Sequence, residues 1–532
     1  MAALLPCQGA NRQIDGVTLP DFFASANKNC RHCFYLSDMS FYGGSVIHLA
    51  GAGNMQKIQN WNAGGAVDAA RPLRLLDKTY PATGEVIARI ELADELLLDE
   101  TVRLAKSAQE KWAACSGQER GRIMARAAQR LIEANDELAA LEVRDVGKLY
   151  SEAVSGDVPS GSEAFEFAAA LAMTQVGTAH RWPGALGYTE RVPLGVCAGI
   201  GAWNYPAQIA CWKAAPALAT GNAFILKPAE ETPLVAARIA ELLAEAGLPD
   251  GLFNVLYGDH ELGAAICRHP GIAKISLTGG VETGKLIMQQ SAASLKKVTL
   301  ELGGKAPLLV FADADFDLAV QTALDANFYT AGEVCSNATR VFVEETILPD
   351  FLAALKERAE AMQVGDPMDP DSHLGALISA AHLQKVLDYV AIGQKEGARL
   401  MCGGHAVSPP GFEGGYFMAP TIFADCHDQM RIVREEIFGP VMSVLSFASE
   451  EEAIARANDT EFGLGAGLVT RDLARAHRVA AALKAGNVWV NSYNLIPPDW
   501  PFGGSGQSGF GRESSAFALE SYTEVKATYI QL

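Results

Sequence analysis

The chain has 532 residues, 49% of them apolar and 20% charged, the composition of a soluble globular protein too long for one ordinary core. Lysine and arginine number 43 against 62 acidic residues, a formal net charge of −19 that repels nucleic acid and anionic lipid and leaves cationic small molecules compatible. Ten cysteines without framework spacing read as reduced thiols, no apolar run approaches the ~20 residues of a membrane span, and the first residues lack a secretory pattern, so the expected location is the cytoplasm.

Residues 1–54 read as an irregular extension. They hold Cys30 and Cys33 with His32 between them, but no further pair of ligands lies near enough in sequence to complete a zinc site. From 94 to 114, Leu97, Leu98, Val102, Ala105 and Ala108 recur at helical spacing with Asp94 as N-cap. Ser116 and Glu119 form a capping box for a second helix through Ala134, and a third is expected over 136–145, ending at Gly147.

Between 186 and 340 short apolar runs alternate with helical stretches at 206–219, 232–246 and 261–267, which predicts parallel βαβ units. The alternation resumes through PLLVF, RVFVE, MSVLSF, GAGLVT and VWVNS, with helices at 313–327, 346–363, 379–397, 450–457 and 472–485. The fold class is therefore α/β, with two open parallel-sheet lobes and a cleft between them. Two alternating segments, 187–194 and 520–532, fit neither lobe and read as exposed strands open to pairing with another subunit.

Three residues carry candidate chemistry. Cys335, in GEVCSNATR, lies on a connection between a helix and a strand, where active sites collect; the local sequence fits a packed structural cysteine as well. Glu301 ends the apolar run VTLE, where burial would raise its pKa toward general-base use, or where it could pair with Lys305. Asn204 stands where a strand turns into a helix, as an uncharged donor for an oxyanion or as an N-cap. GIGAWN at 199–204 lacks the third glycine of a dinucleotide fingerprint, and the P-loop-like run from Gly279 to Lys285 has Leu286 where Ser or Thr is required.

These segments, with GAWNYP at 201–206, LKPAEETP at 226–233, EEIFGP at 435–440 and FGGSGQSGFGRE at 502–513, resemble the NAD(P)-dependent aldehyde dehydrogenases in number and order, starting after Met55. The resemblance implies Cys335 as nucleophile, Glu301 as general base, and Asn204 with the Cys335 backbone N–H as oxyanion donors. It implies NAD as cofactor, with NADP compatible. Lys227 and Glu230 would meet the adenosine ribose, Gly279 the pyrophosphate and Glu436 the nicotinamide ribose, with Trp203 and Phe438 in the same site. Residues 55–175 and 196–303 would form the NAD-binding domain, 304–505 the catalytic domain, and 176–195 with 515–532 the oligomerisation strands of a homodimer or homotetramer. No metal is required. Glu333 replaces the family's usual Gln, and Leu277 stands where Phe is usual.

Within the family the chain looks most like the betaine-aldehyde and 4-trimethylaminobutyraldehyde branch, whose aromatic pocket would correspond to Phe167, Trp212, Tyr493 and Phe502. Ala168 replaces a second pocket tyrosine, and Trp500 is placed to compensate. A general aliphatic, amino- or semialdehyde substrate, a coenzyme A-acylating reaction and a non-catalytic structural relative are the alternatives; retention of Cys335, Glu301 and Asn204 opposes the last.

Overall fold

A computed structural model describes residues 56–69 and 71–532; the Cys30/Cys33 pair lies outside them. The expected local signals organise the first helices. Asp94 accepts from the Leu97 N–H at 2.9 Å and opens Glu95–Ala114. Ser116 and Glu119 close a reciprocal cap on Gly117–Glu133. Asn135–Val146 ends at Gly147, whose φ of 87° is left-handed.

The first lobe is an eight-stranded sheet. Its order runs Gly509–Phe510, Lys297–Leu302, Lys274–Gly279, Val196–Ile200, Ala223–Lys227, Phe253–Val255, Trp61–Asn62 and Gly65–Ala66. The five strands from Lys297–Leu302 to Phe253–Val255 are parallel. Chain order runs outward both ways from Val196–Ile200, so a topological switch point lies between it and Lys274–Gly279. In such sheets ligands bind beyond the carboxyl ends of the strands beside that point, here at Gly201–Asn204, Gly279 and Glu301.

The second lobe is a seven-stranded sheet in the order Arg399–Cys402, Thr421–Ala424, Val441–Phe447, Arg340–Glu344, Pro307–Val310, Gly465–Val469 and Asn487–Val490. All pairs but the first are parallel. Apolar clusters cover both faces, one around Phe342 and Phe423, the other around Val341 and Phe351, which explains why these strands read as continuous apolar runs.

Several features were not legible in sequence. Strands Arg399–Cys402 and Thr421–Ala424 are short and lack a clear period, and Gly509–Phe510 returns to the first sheet against Leu300 and Glu301. Residues 150–172 form one continuous helical stretch with a π-helical turn at Ala153–Asp157; Gly156, Pro159 and Gly161 mask it. Both segments expected as exposed strands are strands, but only Thr523–Gln531 is an exposed edge: Ala185–Pro193 lies in the middle of a three-stranded antiparallel sheet, paired on one side with Thr523–Gln531 and on the other with Ala179–Trp182. Residues 515–521, expected as strand, are instead the helix Ser515–Ser521.

Candidate active site

Cys335 follows a strained turn. Thr330, Ala331 and Gly332 all have positive φ, 49°, 49° and 77°, a conformation that costs of order 1–3 kcal/mol for each non-glycine residue and persists only when neighbours hold it. The Thr330 N–H donates to buried Glu152 at 2.7 Å, and its hydroxyl lies 2.9 Å from the Tyr205 hydroxyl. Gly332 packs so tightly against Gly439 that a Cβ would stand 2.3 Å from its backbone. Beyond the turn, the Tyr493 hydroxyl donates to Ser336 O at 2.9 Å and the Ser336 hydroxyl to Asn494 at 2.7 Å.

Burial, and then the carboxyls of Glu436 and Glu301, push the Cys335 thiol up to about 12, while the N–H groups of Cys335 and Ser336 oppose the rise. Glu333 is not among these causes: its carboxyl accepts from the Ile378 N–H at 3.0 Å.

Cys335, Glu301 and Asn204 line one cavity of about 270 Å³. Glu301 enters it from the strand Lys297–Leu302, and neither carboxyl oxygen has a hydrogen-bond partner. Burial, reinforced by Glu513, holds its pKa well above the ordinary carboxylate range. Lys213 lies 2.7 Å from Glu513, and both reach the Ser276 hydroxyl. Asn204 does not take the alternative N-cap role, since the residue before the helix Pro206–Ala219 is Tyr205. Its amide donates to Glu333 O at 2.9 Å, which orients the side chain and leaves a second N–H.

The aromatic wall differs in part from expectation. Trp212 and Phe502 line the cavity, edge to face with ring centroids 5.7 Å apart, and Trp212 donates to the Ser160 hydroxyl at 3.0 Å. Phe167 does not reach the cavity: it lines a smaller cleft behind Trp212, with Ala168 and Leu171. Tyr493 packs on Trp489 behind the Cys335 loop, and Trp500 is 57% exposed, away from the wall. Their places are taken by Tyr205 and Tyr329. One signal was available for each: Tyr205 directly follows Asn204, and Tyr329 precedes Cys335 by six residues on the same connection.

On the sheet side, the residues present fit a dinucleotide. The helix Val281–Ser291 starts at Gly280 without a side-chain cap, and a Cβ at Gly280 would meet nothing within 4 Å. Its first N–H groups are thus open to a phosphate, as helix N-termini favour. Gly279 ends the preceding strand. Buried Lys227 lies 3.3 Å from Glu230 at the adjoining strand end. Glu436 accepts from the Gly304 N–H at 2.9 Å, and a Cβ at Gly303 would lie 2.1 Å from its other oxygen. Trp203 packs edge-on against Phe438, with centroids 5.2 Å apart.

A doubly wound sheet whose strand ends open on a cavity lined by Cys335, Glu301 and Asn204 is the architecture of a dinucleotide-dependent enzyme. Residues 67–528 match the aldehyde dehydrogenase family, and the chain belongs to it: it oxidises an aldehyde to a carboxylic acid with NAD. The chain is 54% identical over 457 residues to the betaine aldehyde dehydrogenase of Rhizobium etli (strain CIAT 652), covering 86% of this chain and 94% of that one. Identity is also 54% to betaine aldehyde dehydrogenase 1 of Rhizobium meliloti (strain 1021), with the same coverage. The NAD+ complex of an aldehyde dehydrogenase from Bacillus cereus matches with a TM-score of 0.87 at 40% identity, covering 90% of this chain and 97% of that one. Among the described residues no helix is long and apolar enough to cross a membrane.

Proposed function

We propose that the physiological substrate is an aldehyde bearing a trimethylammonium or amino group, such as betaine aldehyde or 4-trimethylaminobutyraldehyde. The observation that carries this reading is the cavity wall, where Trp212, Tyr329 and Phe502 line the same space as Cys335; Tyr205 lines it too, with the Lys148 ammonium 3.8 Å from its ring centroid. Aromatic faces attract a quaternary cation by roughly 0.5–2 kcal/mol each, and Glu163 adds a carboxylate to the same wall. The names of the curated relatives agree.

Catalysis by these residues starts with the thiol. Its proton passes toward the Glu301 carboxylate as the sulfur attacks the aldehyde carbon, giving a thiohemiacetal on Cys335. Asn204 and the Cys335 backbone N–H donate to the oxyanion as it forms. NAD, when bound, supplies the hydride acceptor that converts this adduct to a thioester. Glu301 releases that proton to solvent and, again a carboxylate, takes a proton from the water that attacks the thioester; this proton passes to the sulfur as the acid leaves, which restores the thiol. Glu301 beside the sulfur supports hydrolysis over transfer to coenzyme A.

Lys227 and Glu230 would hold the adenosine ribose, the helix start at Gly279 and Gly280 the pyrophosphate, and Glu436 with Trp203 and Phe438 the nicotinamide end. A carboxylate at the adenosine ribose favours NAD over NADP, whose 2′-phosphate it repels. The strand Thr523–Gln531 presents Val525 and Tyr529, 62% and 64% exposed, on a sheet edge, which supports a homodimer or homotetramer. The seven described cysteines are all free, in keeping with a reducing cytoplasm.

The test is NADH release by the purified protein with betaine aldehyde, 4-trimethylaminobutyraldehyde, 3-aminopropanal and butanal. A cationic pocket gives kcat/KM for the first three at least tenfold above butanal. Equal values across the four would sink it.

A further inference from the structure

The helix Ala380–Lys395 places one side chain between the two halves of this machinery. His382 Nε2 lies 2.6 Å from Phe438 O and 3.6 Å from Glu333 Oε1. To bond a carbonyl, that nitrogen must carry the proton, since a carbonyl can only accept. The imidazole is about nine-tenths buried, and Trp203, next in sequence to Asn204, packs on it edge to face at 5.4 Å as well as on Phe438.

These contacts close a ring. Asn204 donates to Glu333 O, the Glu333 carboxyl faces His382, His382 donates to Phe438 O, and Phe438 returns through Trp203 to Asn204. Phe438 needs such support, because its φ of 64° is left-handed for a bulky residue. Gly332 against Gly439 puts the two segments in direct backbone contact beside it.

We propose that His382 is a positioning residue that locks the segment Glu436–Phe438 to the loop carrying Cys335, so that the nicotinamide end and the thiol keep one mutual register. An error of about 1 Å between reacting groups costs on the order of 10²-fold in rate. Burial, which pushes His382 down to about 4, keeps the ring neutral with one N–H for this bond. The inference rests on the assignment of Glu436 and Phe438 to the cofactor.

The experiment compares His382→Leu, His382→Gln and Glu436→Gln in the full chain. Two readouts are independent of turnover: NAD affinity by calorimetry, and the rate of Cys335 alkylation by iodoacetamide. His382→Leu lacks the donor and is expected to weaken NAD about tenfold and to change the alkylation rate at least threefold. His382→Gln keeps an N–H at similar reach and returns both to within about threefold of the parent. If His382→Leu does not fold, His382→Asn, one methylene too short, takes its place. Unchanged NAD affinity and alkylation in the donorless variant, with NAD weakened in Glu436→Gln, overturns the inference alone. Unchanged affinity in Glu436→Gln overturns the cofactor assignment and the inference with it.

Discussion

Glu301 and Gly503 share a space that only one side chain can fill: a Cβ at 503 would lie 2.7 Å from Glu301 Oε1. Gly503→Ala should therefore push the carboxylate out of place without touching the thiol. The expected result is a fall of about 10–100-fold in both the first-turnover burst rate of NADH and the steady-state rate, since Glu301 takes the thiol's proton as well as the water's, measured by stopped flow. A burst at the parent rate with a slowed steady state would confine Glu301 to the hydrolytic step.

Asn204 tests the oxyanion assignment. Replacing it with Ala removes the donor and is expected to lower kcat about 10²–10³-fold with little change in NAD affinity. A fall below tenfold would assign the oxyanion to the backbone alone.

The pH profile follows from Glu301. A general base works only as the carboxylate, so activity rises with pH through its raised pKa. Glu513→Gln removes a like charge and releases Lys213 from its partner; both changes favour the Glu301 carboxylate. The acid limb of kcat/KM should move to lower pH, and a shift to higher pH would contradict the electrostatic account.

For the aromatic wall, Trp212→Leu should lower the kcat/KM ratio of betaine aldehyde to butanal by roughly 2- to 30-fold, the range of one cation–π contact. An equal loss for both aldehydes would mean that the rings only exclude water.

Glu152 governs a stability effect. Burial pushes its pKa up to about 7 from the ordinary 4.5, so the folded protein binds a proton the unfolded chain has lost. The resulting stability is full below about pH 4.5 and is lost as pH rises through about 7. Glu152→Gln keeps an oxygen for the Thr330 N–H and cannot ionise. Its Tm should fall less than the parent's between pH 5 and 8, with a gain of about 1–3 kcal/mol at pH 8, checked by scanning calorimetry.

Cys335, Glu301 and Asn204 were legible in the sequence because each sits in a short segment whose residues define the local chain path: an apolar strand that ends in an acid, a glycine-rich connection, a strand that turns into a helix. The caps at Asp94 and Ser116 and the βαβ alternation were legible for the same reason, since they depend on neighbours within a few residues. Phe167 and Tyr493 were misplaced, and Tyr205, Tyr329 and His382 were passed over, because which ring faces the cavity depends on how 150–172, 329–336 and 380–395 pack. Glu163 and Phe167 lie one turn apart on the same helix face, and the cavity ends between them, so Glu163 lines it while Phe167 falls in the cleft behind Trp212; no local pattern records where the cavity stops. The sequence by itself determined the chemistry and the lobes; tertiary packing decided which side chains surround the sulfur, because contacts between segments distant in the chain are set by the closure of the core around them.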